Sequence, residues 1–266
     1  MNTQKALDKY AKSIYVLGIK GGENVTGERT DKTSDTAGRL SVAVDVALLS
    51  VREGHLYTLV LRREQAPFQG VWALPGAFVS HEESLEDAAD RVLRDKIGLG
   101  DVFLEQLYTF GQPGRDPRAR VVAVAYYALV DRSRFCDLHT NASGATRVAR
   151  IAVPWEGETG GPVELSDEEG GALELAFDHP DILGMAVKRI RGKLNYTPIG
   201  FQLLPARFTL RQLQQVHETV LGRPLNKDSF RRRMLASDLL EATGDRQQDV
   251  DHRPAELYRF GKRSAV

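Results

Sequence analysis

The stretch that decides the fold is Leu74 to Leu99, LPGAFVSHEESLEDAADRVLRDKIGL. Pro75-Gly76 predicts a tight turn, and a short polar loop follows. Ser84 is placed to cap a helix, with Glu86 and Asp87 in the first turn, where the helix dipole favours negative charge. Leu85, Ala88, Ala89, Val92, Leu93 and Ile97 recur at steps of three and four, so they share one face. Gly98 follows as the C-cap.

This loop-helix-loop resembles the Nudix box, Gly-x5-Glu-x7-Arg-Glu-U-x-Glu-Glu-x-Gly-U, where U is bulky and apolar. In an ungapped frame the first Gly falls on Ala77, the next Glu on Glu83, the Arg on Arg91, U on Leu93, and the closing pair on Gly98-Leu99. The three remaining glutamates fall on Val92, Asp95 and Lys96. In the working motif those carboxylates share one helical face and hold the Mg²⁺ that bridges a diphosphate and activates water. The resemblance therefore implies the scaffold without the chemistry: no catalytic residue and no metal site is expected. Glu83 and Arg91 match positions whose role is to pair and pin the loop to the helix.

Length and composition bound the rest. The chain has 266 residues, 42% of them hydrophobic, enough for one large or two smaller packed domains. No apolar run is long enough to span a membrane, and the N-terminus lacks the apolar core of a signal peptide. The single cysteine, Cys136, makes no internal disulfide, zinc site or redox pair. A cytoplasmic protein is the expectation. Net charge is zero but segregated. Residues 186–266 carry 16 Lys+Arg and 8 Asp+Glu, and residues 1–185 carry 20 and 28. A basic C-terminal third on an acidic body points to an anionic partner, nucleic acid above all.

Along the chain, residues 1–39 read as a flexible or helical extension. Residues 40–195 read as one α/β domain. Ser41–Ser50 and Leu56–Arg62 predict a strand hairpin, 64–73 a loop, Val102–Gly111 and Arg120–Asp131 two further strands, and Asp181–Leu194 a helix. Between them, 132–171 shows weak strand signals around Val148–Val153 and then a polar loop. The order suggests an α/β/α sandwich. His81, His179 and His217 show no metal-ligand spacing and stay unassigned.

Residues 196–266 form the second domain. The connector 195–208 is proline-stiffened yet apolar, so a packed joint is predicted. Thr209 caps a helix over Leu210–Leu221, ended by Gly222, and Asn226 caps a second over Lys227–Ala236, with Phe230, Met234 and Leu235 inward. Strands over Leu239–Thr243 and Ala255–Phe260 complete a winged helix-turn-helix pattern. Lys227, Ser229, Arg231 and Arg232 on its second helix and Arg253 in its wing are the candidate DNA contacts.

The combination resembles the NrtR family, Nudix-related transcriptional regulators of NAD metabolism. The blocks that carry the resemblance are VWALPGAFV at 71–79, GRDPRARVVAVAYYAL at 114–129, LAFDHPDIL at 175–183, KLNYTPIGFQLLPARFTLRQLQQVHETVLGRPLNKDSFRRRML at 193–235 and RPAELYRF at 253–260. The family implies a homodimeric repressor of NAD biosynthesis genes that binds palindromic double-stranded operator DNA. It implies ADP-ribose as effector, no bound cofactor, and release of DNA on ligand binding. A related branch that senses sugars, and a hydrolase of ADP-ribose, are the alternatives. The candidate ligand contacts are Arg62 and Arg63, Arg115 and Arg118 as forked diphosphate binders, Phe78 for stacking, and Lys96 as a cation where the motif has a carboxylate. The competing reading of each arginine pair is local surface salt bridges, and Trp72 reads as core packing.

Overall fold

A computed structural model describes residues 40–138, 144–194, 196–248 and 253–261; the expectations for 1–39 lie outside the described residues. The organising strand is β1 (Ser41–Arg52). It pairs in parallel with β6 (Val121–Leu129) and antiparallel with β2 (His55–Arg62), through a turn at Glu53-Gly54. The sheet continues through β5 (Phe103–Phe110), β7 (Thr146–Ala152), β8 (Glu164–Ser166) and β9 (Ala172–Leu173), in the order β5-β6-β1-β2-β7-β8-β9. Two short strands join its side: β3 (Trp72–Ala73) on β2 and β4 (Gly76–Phe78) on β1. The near-unbroken apolar run of β1 follows from burial on both faces. Val44, Val46 and Leu48 enter one core, and Ala47 and Leu49 the other.

Helix α1 (Leu85–Val92) covers the first face with Ala88, Ala89 and Val92. Ser84 caps it, its Oγ accepting from the Asp87 N–H. The sequence predicts one α-helix to Ile97, but Leu93–Ile97 is a π-helical turn, closed by Gly98 at φ +76°. Gly76 is a second departure: it opens β4 and is not the corner of a tight turn. A Cβ there would lie 2.8 Å from the Val44 carbonyl oxygen, so only glycine admits this approach to β1. The described part of 132–171 is also more structured than expected, holding the short α2 (Arg132–Cys136) and β8, with β9 just beyond it.

The second face is covered by α3 (His179–Lys193) through Ile182, Leu183, Ala186, Val187 and Ile190. That core runs on without a break into the C-terminal module. Pro198–Leu203 forms a 3-10 turn that buries Ile199, Phe201 and Leu203. These pack with Phe208, Leu213, Val216, Val220, Phe230 and Tyr258 in the same cluster as Leu49 and Ile182. The connector is thus a packed joint.

The C-terminal module follows its caps. Thr209 and Gln212 make a reciprocal capping box on α4 (Leu210–Leu221), and Gly222 ends it at φ +69°. The Asn226 side chain accepts from the Ser229 N–H to start α5 (Lys227–Leu235). Strands β10 (Leu240–Arg246) and β11 (Glu256–Phe260) form the wing, and Phe208 bridges to Tyr258 at its base. The first wing strand runs three residues beyond the predicted end at Thr243. Leu235 corrects the prediction as well. It is 45% exposed, because a helix this short buries only one stripe, here centred on Phe230.

Candidate functional site

All six ligand candidates, Arg62, Arg63, Phe78, Lys96, Arg115 and Arg118, line one cleft of about 510 Å³. Arg62 ends β2, Phe78 ends β4, Lys96 lies in the π turn, and Arg115 and Arg118 come from the loop before β6. Distant segments thus converge because β1 carries β2, β4 and β6 beside one another. The volume suits a nucleotide-sized ligand.

Arg115 does not lie on the surface. Its side chain is 6% exposed and forks onto Asp178, Nε to Oδ2 at 2.8 Å and Nη2 to Oδ1 at 2.5 Å, with Asp45 at 3.4 Å. Burial works to lower its pKa, but the Asp178 bonds and the Asp45 charge outweigh burial and raise it. Arg118 pairs with Asp116 at 2.6 Å, which raises the arginine and lowers the acid. Both arginines are thus salt-bridged, Arg118 locally and Arg115 in the interior rather than at the surface, and both line the cleft. Arg62 and Arg63 have no carboxylate partner among the described residues. Arg62 Nε donates to the Gly70 carbonyl, and Arg63 to the carbonyls of Pro67 and Gln65. Burial and the neighbouring Arg118 lower the Arg63 pKa.

Four cleft residues were not among the sequence candidates, Asp45, Asp116, Phe177 and His179, nor was Asp178, which holds Arg115 from behind the lining. His179 is buried at the start of α3. Its Nδ1 accepts the Leu74 N–H at 2.9 Å, leaving Nε2, 3.8 Å from Asp45, to carry the proton. Burial pushes its pKa down, so the ring is neutral. Phe177 adopts φ +57°, a strained conformation for a bulky residue, and its ring lies 4.7 Å under the Arg63 guanidinium. Phe78 is half exposed at the mouth, 5.8 Å from the Arg118 guanidinium. Asp45 carried a readable signal, a lone acid inside an apolar strand, whereas the others needed the tertiary fold.

Glu83 and Arg91 pair as expected. Arg91 donates to both carboxylate oxygens at 2.6 and 2.8 Å and also to the Phe78 carbonyl, while Glu83 accepts the Ser80 N–H. The Arg91 bond, helped by Ser80, holds the Glu83 pKa at about 2. Trp72 is partly buried against the core, with Arg147 5.1 Å above its ring. Among the described residues no group of three His, Cys, Asp or Glu side chains is placed to hold a metal ion.

On the C-terminal module Lys227, Ser229, Arg231, Arg232 and Arg253 are all exposed. The ion pairs described there, Arg207–Asp245 and Arg259–Glu241, involve none of them. The turn before α5 is held rigidly: Glu218 accepts the Leu225 N–H, and Gln214 donates to the Leu225 carbonyl.

Fold and sites define a class, a Nudix-fold domain with a cation-lined cleft merged into a winged-helix module. The Nudix domain family matches residues 39–141, and the NrtR DNA-binding winged helix domain matches residues 200–260. Over 221 residues the chain is 36% identical to the ADPR responsive transcriptional repressor NtrR of Acinetobacter baylyi, covering 82% of this chain and 81% of that protein. Its structure resembles Shewanella oneidensis NrtR solved in complex with a 27mer DNA, with a TM-score of 0.67, 32% identity, and coverage of 82% and 93% of the two chains. A MutT/nudix family protein from Enterococcus faecalis is similar at a TM-score of 0.69 and 28% identity, with coverage of 85% and 90%. This chain belongs to the NrtR family of Nudix-related transcriptional regulators.

Proposed function

We propose that the protein is a cytoplasmic, homodimeric repressor of NAD biosynthesis genes that binds ADP-ribose in the Nudix cleft and releases operator DNA in response. One observation carries this reading: a cleft holding cations that have no carboxylate partner among the described residues and an exposed basic helix share a single continuous core. The diphosphate falls to the arginines, with Arg62 and Arg63 free of carboxylates among the described residues. Phe78 at the mouth offers a face to adenine. Lys227, Ser229, Arg231 and Arg232 enter the major groove and Arg253 meets the backbone from the wing. The cleft does not hydrolyse its ligand, because the metal-holding face of the box carries Val92, Asp95 and Lys96.

Helix α3 supports a route between the two sites. At its start His179 lines the cleft and Asp178 holds the cleft residue Arg115, and Arg191 near its end donates to the Val220 carbonyl of α4 at 2.7 Å. A ligand that draws Arg115 away from Asp178 acts on the start of this helix, and its far end bears on the DNA-binding module. In a dimer two recognition helices stand about 34 Å apart, one DNA turn, and tolerate little change of spacing.

The test is selection of binding sites from random duplex DNA, followed by anisotropy titration with and without ADP-ribose. A two-fold-symmetric site is expected, bound more weakly with ligand by roughly 5- to 150-fold. Operator DNA must weaken ADP-ribose binding by the same factor. Absence of sequence-selective DNA binding refutes the reading, and turnover of ADP-ribose at about 1 s⁻¹ or faster with Mg²⁺ refutes the loss of hydrolysis.

A further inference from the structure

The cations of the cleft divide by partner. Arg115 and Arg118 are committed to carboxylates. Among the described residues Arg62, Arg63 and Lys96 hydrogen-bond only backbone carbonyls, Lys96 Nζ donating to the Gly76 oxygen. A carbonyl partner leaves the cationic charge uncompensated, and a cleft focuses that charge on an incoming anion.

The box helix contributes one side chain to this cleft, and it is a cation. No acid between Glu82 and Asp95 lines the cleft; Lys96 does. Glu83 is consumed by Arg91 and Ser80. Asp95, the one acid left at the motif's metal positions, is exposed outside the cleft wall. The π turn Leu93–Ile97 keeps Leu93 in the core while Lys96 reaches across to the start of β4. π turns of this kind recur at functional sites. These residues do not fit a divalent metal, which needs several oxygen ligands.

We propose that Lys96 is a built-in counter-cation: its ammonium, seated on the Gly76 carbonyl, takes the ligand's diphosphate directly, and binding requires no divalent metal. The identity of the ligand as ADP-ribose rests on the reading above; the metal-free diphosphate site does not. Burial, then Arg91 and Arg63, lower the Lys96 pKa against the opposing pull of Asp45, so the ammonium gains from the further negative charge of an arriving diphosphate.

Calorimetric titration of the full chain with ADP-ribose and with inorganic pyrophosphate, each in EDTA and in MgCl₂, tests this. Both ligands are expected to bind in EDTA, with affinity equal to that in MgCl₂ within about threefold. K96M should weaken both by roughly ten- to a hundredfold in EDTA, the scale of one charged hydrogen bond, and K96R should restore most of the loss. Binding only in MgCl₂, or unchanged affinity in K96M, overturns the proposal. Pyrophosphate binding in EDTA that K96M abolishes, without any ADP-ribose binding, upholds Lys96 and overturns ADP-ribose as the ligand. Because the first comparison uses the unaltered chain, a folding defect in a variant cannot mask the outcome.

Discussion

Replacing Arg191 by methionine should uncouple the two halves of the molecule. Arg191 is a cation, 4% exposed, without a carboxylate partner among the described residues. It donates to carbonyls from two directions: Val220 in the last turn of α4 at 2.7 Å, Gly157 at 2.8 Å and Trp155 at 3.3 Å. Its guanidinium also lies 4.7 Å over the Trp155 ring. Two short charged bonds contribute about 1.5–3 kcal/mol each, and a cation at a helix C-terminus adds up to about 2 kcal/mol. Against that stands the desolvation of the buried charge, which lowers the Arg191 pKa and disappears in the variant. The net expectation for R191M is a loss of about 3 kcal/mol, or about 6–12 °C in melting temperature for a unit of this size. R191K keeps the charge but loses the planar fork, so it should recover less than half. Urea unfolding of the three proteins measures this, and a loss below about 1 kcal/mol would refute the reasoning. Arg191 does not line the cleft, so R191M should bind ADP-ribose normally while the effect of ADP-ribose on DNA affinity shrinks.

His217 gives a pH signature. Burial, with Arg233 nearby, lowers its pKa from 6.5 to about 4. A pKa depressed in the folded state means that stability is intact above pH 6.5 and is lost as pH falls towards 4, by about 3 kcal/mol. H217F, which keeps an aromatic beside Phe230, should flatten that part of the stability profile in acid unfolding. R63A should weaken ADP-ribose by roughly ten- to a hundredfold, read by calorimetry, while the melting temperature stays within a few degrees. By contrast, R115A strands Asp45 and Asp178 without their cation and should cost about 3–5 kcal/mol of stability in the same melt. R231A and R232A should each flatten the slope of log K against log salt by about 0.9, measured by anisotropy over a salt series.

Much of this was legible from local pattern. Apolar runs marked β1, β2 and β6, and the caps Ser84, Thr209 and Asn226 with the closing Gly98 and Gly222 marked helix ends, because capping is read within four residues. The six ligand candidates met in one cleft because the motif frame orders the elements around β1. What stayed hidden is non-local. Asp178 and His179 matter through Arg115 and Leu74, 63 and 105 residues away. The strands β8 and β9, at three and two residues, exist because β7 offers β8 an edge and β8 in turn offers one to β9. The π turn leaves no mark in a three-to-four periodicity that fits an α-helix equally well.

The box helix shows how scaffold and chemistry separate. Its structural work is done by residues facing away from the cleft or around its rim: Ala88, Ala89 and Val92 in the core, and Glu83 with Arg91 clamping loop to helix. Nothing in that work needs an acid at 92, 95 or 96: Asp95 and Lys96 are exposed and outside the packing, and position 92 is held by the core, which favours an apolar side chain. Val92 illustrates the point: it is fully buried, where a carboxylate would require a partner or an ion. An apolar residue there strengthens the sheet-facing side of the helix and removes one place for a metal ligand. With a metal, a diphosphate in this cleft is a substrate held beside activated water; with lysine and arginine alone it is an anion held without one. In the proposed coupling, occupancy acts on Asp178 at the start of α3 through Arg115, and the energy of binding reaches the winged helix through Arg191 at the other end.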